Sequence, residues 1–465
     1  MALLDKQIDT MKSLKHYRRG DVIMTVRPLV YVVADQMKGR ICDYCLTARP
    51  SLMSCSDCEQ QLYCNQICQH NDWDYHRLEC PTLAYSPTIK SAEKLMIRLW
   101  LAIQDNRDIV DKQYPLPNGQ YLSLNDLKVN NDFDKDLFLF GSDETQLNEI
   151  LSEVIEAVSD EDLDENISMK DKALIQFKSL VETFNECKIH FDLYTLWQLF
   201  LKVWSNVLTI DVLDFDNEEC AYGLFIESAS LNHSCEPNAC YVSYGTRLQV
   251  RAIKPIKPND EIFISYIDLA NDTSVRQKML KSFHVICDCL KCRNNTSDSN
   301  IDYSLFHKLN NDFGHKFFTL MNVKNGLTSS IAELISIADE LVPYYDNIFP
   351  DFYPQKSLYL VKYLKLILLN VIETKTAAIN REFVAFVLKN VSITHGVDHK
   401  IYRKVCVVRH ITLLDLESDT DHMLQTLKSK PISALKKYTI YSIILVILCF
   451  IFYNNFDLIY QHFFL

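Results

Sequence analysis

The sequence predicts an α+β protein of several domains, and three observations carry that expectation. "LQVRAIKPIKPNDEIFISY", Leu248 to Tyr266, reads as strand, while residues 303–430 carry apolar side chains at helical spacing. Eleven of the sixteen cysteines fall into two clusters, Cys42 to Cys80 and Cys287 to Cys292, plus the isolated Cys235. At 465 residues the chain has room for two or three cores, and with 48% hydrophobic residues and only 9 glycines it reads as folded and rather helical. A net charge of −12 disfavours a nucleic-acid binder with a broad basic surface and suits basic protein partners. "MALLDKQIDTMKSLKHYRRG" offers no apolar signal segment. The expected compartment is therefore reducing, cytoplasm or nucleus, where clustered thiols mean metal before disulfide.

The first cluster has the spacing C-x2-C-x9-C-x2-C-x5-C-x3-C-x7-H-x3-C, using Cys42, Cys45, Cys55, Cys58, Cys64, Cys68, His76 and Cys80. Eight ligands make two closed tetrahedral zinc sites, which are structural because no coordination position stays open. Cys64/Cys68 and His76/Cys80 are spaced i,i+4, so each pair can share a helical face. His70 is the rival to His76, without that spacing to Cys80. The stretch resembles a MYND finger, down to "CQHNDWDYHRLEC" with Trp73 between its last cysteines. The resemblance implies interleaved sites, Cys42/Cys45/Cys64/Cys68 and Cys55/Cys58/His76/Cys80, whereas spacing alone leaves a sequential pairing open. It also implies proline-containing peptides of partner proteins as ligands of the finger. So small a module has little core, and metal supplies its folding free energy.

The second cluster, C-x-C-x2-C at Cys287, Cys289 and Cys292, is one ligand short of a structural zinc site. Cys235 and Cys240 compete for the fourth place, since closing a long loop costs only slowly more entropy than closing a short one. "LNHSCEPNA" (231–239), the strand-like run and these cysteines together resemble a SET domain with its post-SET zinc site. That resemblance makes Cys235 the fourth ligand. A MYND finger ahead of a SET domain is the mark of the SET-and-MYND (SMYD) family of protein-lysine methyltransferases.

The family likeness implies S-adenosylmethionine as methyl donor, three structural zinc ions, and lysine-bearing histone or non-histone proteins as substrates, acted on by a monomer. It implies a SET domain whose N-terminal part is 1–41, a finger over 42–80, the rest of the SET domain with a helical insertion over 81–268, and post-SET over 269–294. Tyr266 takes the catalytic place and Phe283 lines the lysine channel. Asn206, Asn232 and His233 contact the cofactor, as do Tyr121 and Asn130 by a looser match. Read alone, Asn232-His233-Ser234 is equally a turn or a glycosylation acceptor pattern.

The chain departs from the family in four places. Asn259 replaces a glycine, and Asn tolerates a left-handed turn. Val285 replaces an aromatic that packs on adenine, and Lys128 stands where a relative has an acid. "DTMKSLKHY", ahead of Arg18-Arg19-Gly20, holds no glycine where the family has a Gly-x-Gly turn close to the cofactor. These departures motivate a rival reading, a SET-shaped scaffold that recruits partners without catalysis. From Asp132 to Lys172 runs an acidic insertion with "SDEDLDEN", read as a solvated loop or a lure for basic substrates.

Past a polar linker, "NNTSDSN", the stretches "SIAELISIADELV", "SLYLVKYLKLILLNVIE" and "REFVAFVLKNVSITHG" read as helices. "THGVDH" resembles an inter-helix turn of the tetratricopeptide-like domain that closes the family, expected here over 301–430. Residues 438–456 carry no charge, follow Lys436-Lys437 and meet the length of a membrane span. They are read either as a tail anchor or as a buried terminal helix.

Overall fold

The computed structural model describes residues 10–129, 169–211, 219–281, 283, 285–293, 301–322, 331–374 and 380–413. Asn130, the "SDEDLDEN" run and the apolar tail at 438–456 lie outside the described residues. Among the described residues no helix is long and apolar enough to cross a membrane.

Two three-stranded antiparallel sheets and one short parallel pair build the first half. β1 (Val22–Val26), β11 (Arg247–Ala252) and β10 (Ala239–Tyr244) lie in the order β1-β11-β10. β2 (Val30–Val33), β8 (Glu219–Leu224) and β7 (Val207–Asp211) lie in the order β2-β8-β7. The β10–β11 hairpin turns at Gly245, whose φ of +60° gives the primed turn that matches strand twist. β9 (Asn232–His233) pairs parallel with β12 (Phe263–Ile264), Asn232 against Phe263 and His233 against Ile264. The strand expected over 248–266 is therefore two strands, joined by a turn in which Asn259 takes φ +70°. The N-terminal segment without glycine still enters the fold as an edge. Ile262 N donates to Met11 O (2.9 Å), Ser13 N to Asp260 O (2.9 Å), and Tyr17 exchanges two bonds with Ile256.

Helices α1 (Gln66–Tyr85), α2 (Ser91–Asp105), α3 (Met169–Glu186) and α4 (Leu193–Asn206) accompany these sheets. β3 (Met53–Ser54) pairs with β4 (Leu62–Tyr63) inside the finger, and β5 (Tyr114–Pro115) with β6 (Tyr121–Leu122) beyond α2. The first core joins sheet residues such as Val32, Leu224 and Val250 to Ile97 of α2, Phe177 of α3 and Phe200 of α4. Phe177 packs edge-on to Trp197 with ring centres 4.7 Å apart.

The rest is helical: α5 (Thr273–Lys281), α6 (Leu290–Arg293), α7 (Tyr303–Asn322), α8 (Ile331–Ile348), α9 (Pro354–Thr374), α10 (Arg381–Thr394) and α11 (Lys400–Leu413). Their apolar stripes close a second core, with Tyr345 of α8 stacked on Tyr359 of α9 at 4.0 Å. Cys235, Ile267, Leu269 and Leu280 belong to that same core, so the helices pack directly on the segment leaving β12.

The α10–α11 turn docks on the sheet through Arg251 of β11. Its guanidinium donates to Ile393 O (3.1 Å) and Gly20 O (2.7 Å), engaging a carbonyl of α10's last turn that has no partner within the helix. Gly396 ends the helix at φ +89°, and a Cβ there would lie 2.7 Å from an Arg251 nitrogen. Around this contact His395 and His399 are buried, their ring centres 4.9 Å apart. Burial, then the neighbouring imidazole and Arg251, hold His395 well below its ordinary pKa. Burial, with Lys400, Arg251 and Arg403, pulls His399 down to about 4 against a bond with Ser243. Unfolded imidazoles bind protons near pH 6.5, so this stability is complete above that value and declines as pH falls toward 4. His399 alone is expected to remove about 2 kcal/mol between pH 7 and pH 5. Urea midpoints at the two pH values measure this, and His399→Gln should flatten the difference.

Candidate active site and metal centres

The finger is built on two knuckle turns. Leu46 N donates to Cys42 O and Glu59 N to Cys55 O, both at 3.0 Å, and Leu46 and Glu59 take left-handed φ values of 56° and 57°. These turns set Cys42 beside Cys45 and Cys55 beside Cys58. Asn65 caps α1 by accepting from Cys68 N, which brings Cys68 to the first turn. Cys64 lies ahead of the helix and not on it, so only His76 and Cys80 share the expected helical face. The cap residue's extended backbone, φ −168°, breaks the helix between Cys64 and Cys68.

The ligand atoms of Cys42, Cys45, Cys64 and Cys68 lie within 4.8 Å of one another, as do those of Cys55, Cys58, His76 and Cys80. The arrangement is interleaved, and His70 belongs to neither group. Cys45 Sγ is 3.6 Å from Cys64 Sγ, Cys55 Sγ 3.8 Å from Cys80 Sγ, and Cys58 Sγ 3.6 Å from His76 Nε2. A tetrahedron of zinc–sulfur bonds of about 2.3 Å has edges of about 3.8 Å, so both donor sets fit zinc.

A buried polar network holds the second site from behind, and the sequence reading missed it. His76 Nδ1 faces Glu79 Oε1 at 3.4 Å, the outer carboxylate that fixes an imidazole ligand's orientation. Arg98 of α2 donates to both Glu79 oxygens (2.5 and 3.1 Å) and to both Asp72 oxygens (3.2 and 3.3 Å). Tyr63 OH donates to Asp72 at 2.8 Å, and Gln61 Nε2 to Glu79 at 2.9 Å. Burial opposes ionisation of Glu79, but Arg98, His76 and Lys94 outweigh it and hold its pKa below the carboxylate range. The spacing of Glu79, three residues after His76 on one helix, was a readable signal. Arg98 lies nineteen residues further on and gave none.

The third group is Cys235, Cys287, Cys289 and Cys292, again within 4.8 Å. Cys240 sits across from Arg251 on the β10–β11 ladder, and burial pushes its thiol up to about 12. Gln277 of α5 fixes the loop by donating to Cys287 O (2.7 Å) and accepting from Cys287 N (3.3 Å). Cys235→Ser is expected to leave two zinc ions per chain instead of three, and Cys240→Ser to leave all three. Metal analysis of the purified variants checks this, and three ions in Cys235→Ser would reverse the assignment.

Tyr266, just past β12, lies beside this third group. Its hydroxyl donates to Leu231 O, and its ring lies 5.4 Å from the His233 ring and 5.5 Å from the Phe283 ring. Burial, then Glu261, pushes its pKa up to about 12, so the hydroxyl stays protonated at neutral pH. His233 is buried; Nδ1 accepts from Tyr266 N (3.0 Å) and Nε2 faces Cys235 Sγ (3.3 Å). Both ring nitrogens are thus used inside the protein. Burial, with Arg276, lowers His233 to about 4 and keeps it neutral.

The other sequence-derived residues spread further. Asn232 Nδ2 donates to Glu261 Oε1 (2.7 Å), joining β9 to the strand before Tyr266. Asn206, the last residue of α4, donates to Lys128 O (2.9 Å) and Lys202 O (2.8 Å), which ties α4 to the segment leading to Asn130. Ser205 Oγ next to it is buried without a hydrogen-bond partner among the described residues. Tyr121 is 60% exposed on the β5–β6 hairpin, and Gly119 of that hairpin faces Leu14 of the N-terminal edge. Val285 is half-buried, its N–H donating to Leu280 O.

A family model described as "SET domain" matches residues 11–267. "N-lysine methyltransferase SMYD2-A" of Danio rerio is 30% identical over 292 residues, 62% of this chain and 58% of that protein. "N-lysine methyltransferase SMYD2" of Homo sapiens is 28% identical over 290 residues, 62% of this chain and 58% of that protein. "Histone-lysine N-methyltransferase SMYD3" of Mus musculus is 26% identical over 297 residues, 63% of this chain and 60% of that protein. The chain spans about three-fifths of the length of the curated relatives it matches.

Proposed function

Because the chain belongs to the SET-domain family, on its SMYD branch, we propose that it is a protein-lysine N-methyltransferase that uses S-adenosylmethionine. The observation that carries this reading is the meeting of Tyr266 OH, Leu231 O and the Phe283 ring where β9, β12 and the post-SET loop converge. The relatives named above as lysine methyltransferases support it, and nothing in them favours the scaffold alternative.

When bound, S-adenosylmethionine supplies an activated methyl group on a cationic sulfur. The protein has to provide a dry, aligned approach for a neutral lysine amine. Aromatic walls at Tyr266 and Phe283 desolvate an entering ammonium, which lowers its pKa and favours loss of a proton to water before reaction. A Tyr266 hydroxyl that keeps its proton and donates to Leu231 O offers its own lone pair toward an amine N–H, and so acts by orientation. It does not act as a base. Asn206 and Asn232, with the orphaned Ser205 hydroxyl, are the polar groups proposed to hold the cofactor. Because the His233 ring is fully engaged, cofactor contact there falls to its backbone.

The same proposal includes docking of proline-containing peptides on the finger, for which the exposed Ile67 and Trp73 of α1 are the available apolar groups. Incubation with methyl-labelled S-adenosylmethionine and a protein lysate tests the enzyme reading, with calorimetry of cofactor binding beside it. Saturable binding and label in methyl-lysine are expected. Absence of both removes the reading.

A further inference from the structure

The His233 ring spans two structures with different tasks, and each of its nitrogens has one partner. The Tyr266 backbone amide has only a proton to offer, so Nδ1 must be the bare nitrogen that accepts it at 3.0 Å. The proton therefore sits on Nε2, which points at Cys235 Sγ 3.3 Å away. Cys235 lies 1% exposed within the four-thiolate group, a site whose charge with zinc bound is net negative, and an N–H aimed at a thiolate offsets part of that charge. The parallel β9–β12 pairing then fixes His233 opposite Ile264, two residues before Tyr266.

We propose that His233 is a positioning residue whose imidazole locks the Tyr266 main chain to the zinc ligand Cys235, so that the post-SET metal sets the place of the reacting hydroxyl. This rests on the methyltransferase reading for the role of Tyr266. It departs from the sequence expectation that the His233 side chain serves the cofactor. Without the imidazole, Cys235 loses its donor and the Tyr266 amide its acceptor in the same step.

The test compares the full chain with His233→Ala and His233→Gln, the second keeping at most one of the two bonds. Zinc release to a chromogenic chelator, S-adenosylmethionine affinity by calorimetry, and kcat and KM are measured on each. In His233→Ala, one zinc of three is expected to leave about 10–100 times faster, and kcat to fall by a similar factor. The two finger zincs should leave at the wild-type rate, cofactor affinity should change less than threefold, and His233→Gln should fall between. If either variant loses cofactor affinity tenfold or more while its third zinc leaves at the wild-type rate, the ring is a cofactor ligand and the proposal is overturned. Unchanged zinc release with unchanged kcat overturns it as well. Should the wild-type chain transfer no methyl group, the proposed function fails separately. Zinc release still decides whether His233 braces the metal site, with the finger zincs reporting that the variant is folded.

Discussion

Replacing Tyr266 by phenylalanine is expected to lower kcat about 10²–10³-fold with KM for a protein substrate nearly unchanged, the cost of losing one preorganised hydrogen-bonding group in a water-poor site. The ring makes the packing contacts, at 5.4 Å to His233 and 5.5 Å to Phe283, and phenylalanine preserves them. Only the hydroxyl is lost, and with it the bond to Leu231 O. Since burial keeps that hydroxyl protonated, the variant should lose rate equally at pH 7 and pH 9 and not change the shape of the pH profile. Single-turnover transfer from a labelled donor measures this. A rate within twofold of wild type would show that Tyr266 is one more packed tyrosine.

Arg98→Met should have the largest effect on stability, about 3–5 kcal/mol, because it strands Asp72 and Glu79 as buried carboxylates without their cation. Asp72 is 3% exposed and Glu79 fully buried, so water cannot replace the guanidinium. The effect also reaches the metal, since Glu79 orients the His76 ring. Chemical denaturation and zinc release together give the readout: a lower midpoint, and one finger zinc lost faster than the other. Adding Asp72→Asn and Glu79→Gln to Arg98→Met should recover part of the loss, because neutral amides cost less to bury. A single variant with wild-type stability would mean that the network is hydrated and adds nothing.

The two effects act at different distances from the chemistry. Under the proposed function Tyr266 borders the reacting atoms, whereas Arg98 joins the finger to α2 and so to the first core. A finger zinc lost from the second site would free the His76 ring, while Glu79 would stay held by Arg98 and Gln61, and Arg98 also donates to Tyr31 O of β2 at 3.2 Å. Finger and SET sheet are therefore coupled in stability through Arg98.

Much of this was legible in the chain. Thiol and imidazole ligands sit at intervals that turns and helices impose, so Cys42 to Cys80 could be read as two zinc sites from local geometry. The alternation of Ile262, Ile264 and Tyr266 placed the tyrosine at a strand exit, and the helical stripes beyond Tyr303 fixed the second half. Asn259 in a left-handed turn followed from its side chain's tolerance of positive φ. Cys64 was misjudged as helical because spacing does not reveal where a cap begins.

What the sequence determined by itself was the set of local periodicities and the chemistry of the ligands. Spacing left Cys235 and Cys240 open and the family resemblance chose Cys235, which the structure groups with Cys287, Cys289 and Cys292. Only the tertiary structure decided the other distant partners, Arg98 behind His76, Arg251 against the α10–α11 turn, and His233 between Cys235 and Tyr266. Local spacing constrains a residue through backbone geometry, which reaches a few positions along the chain. Partners as far apart as Arg98 and Glu79, nineteen residues, or Arg251 and Gly20, 231 residues, are chosen by packing, which favours the arrangement that pairs most buried polar groups at once.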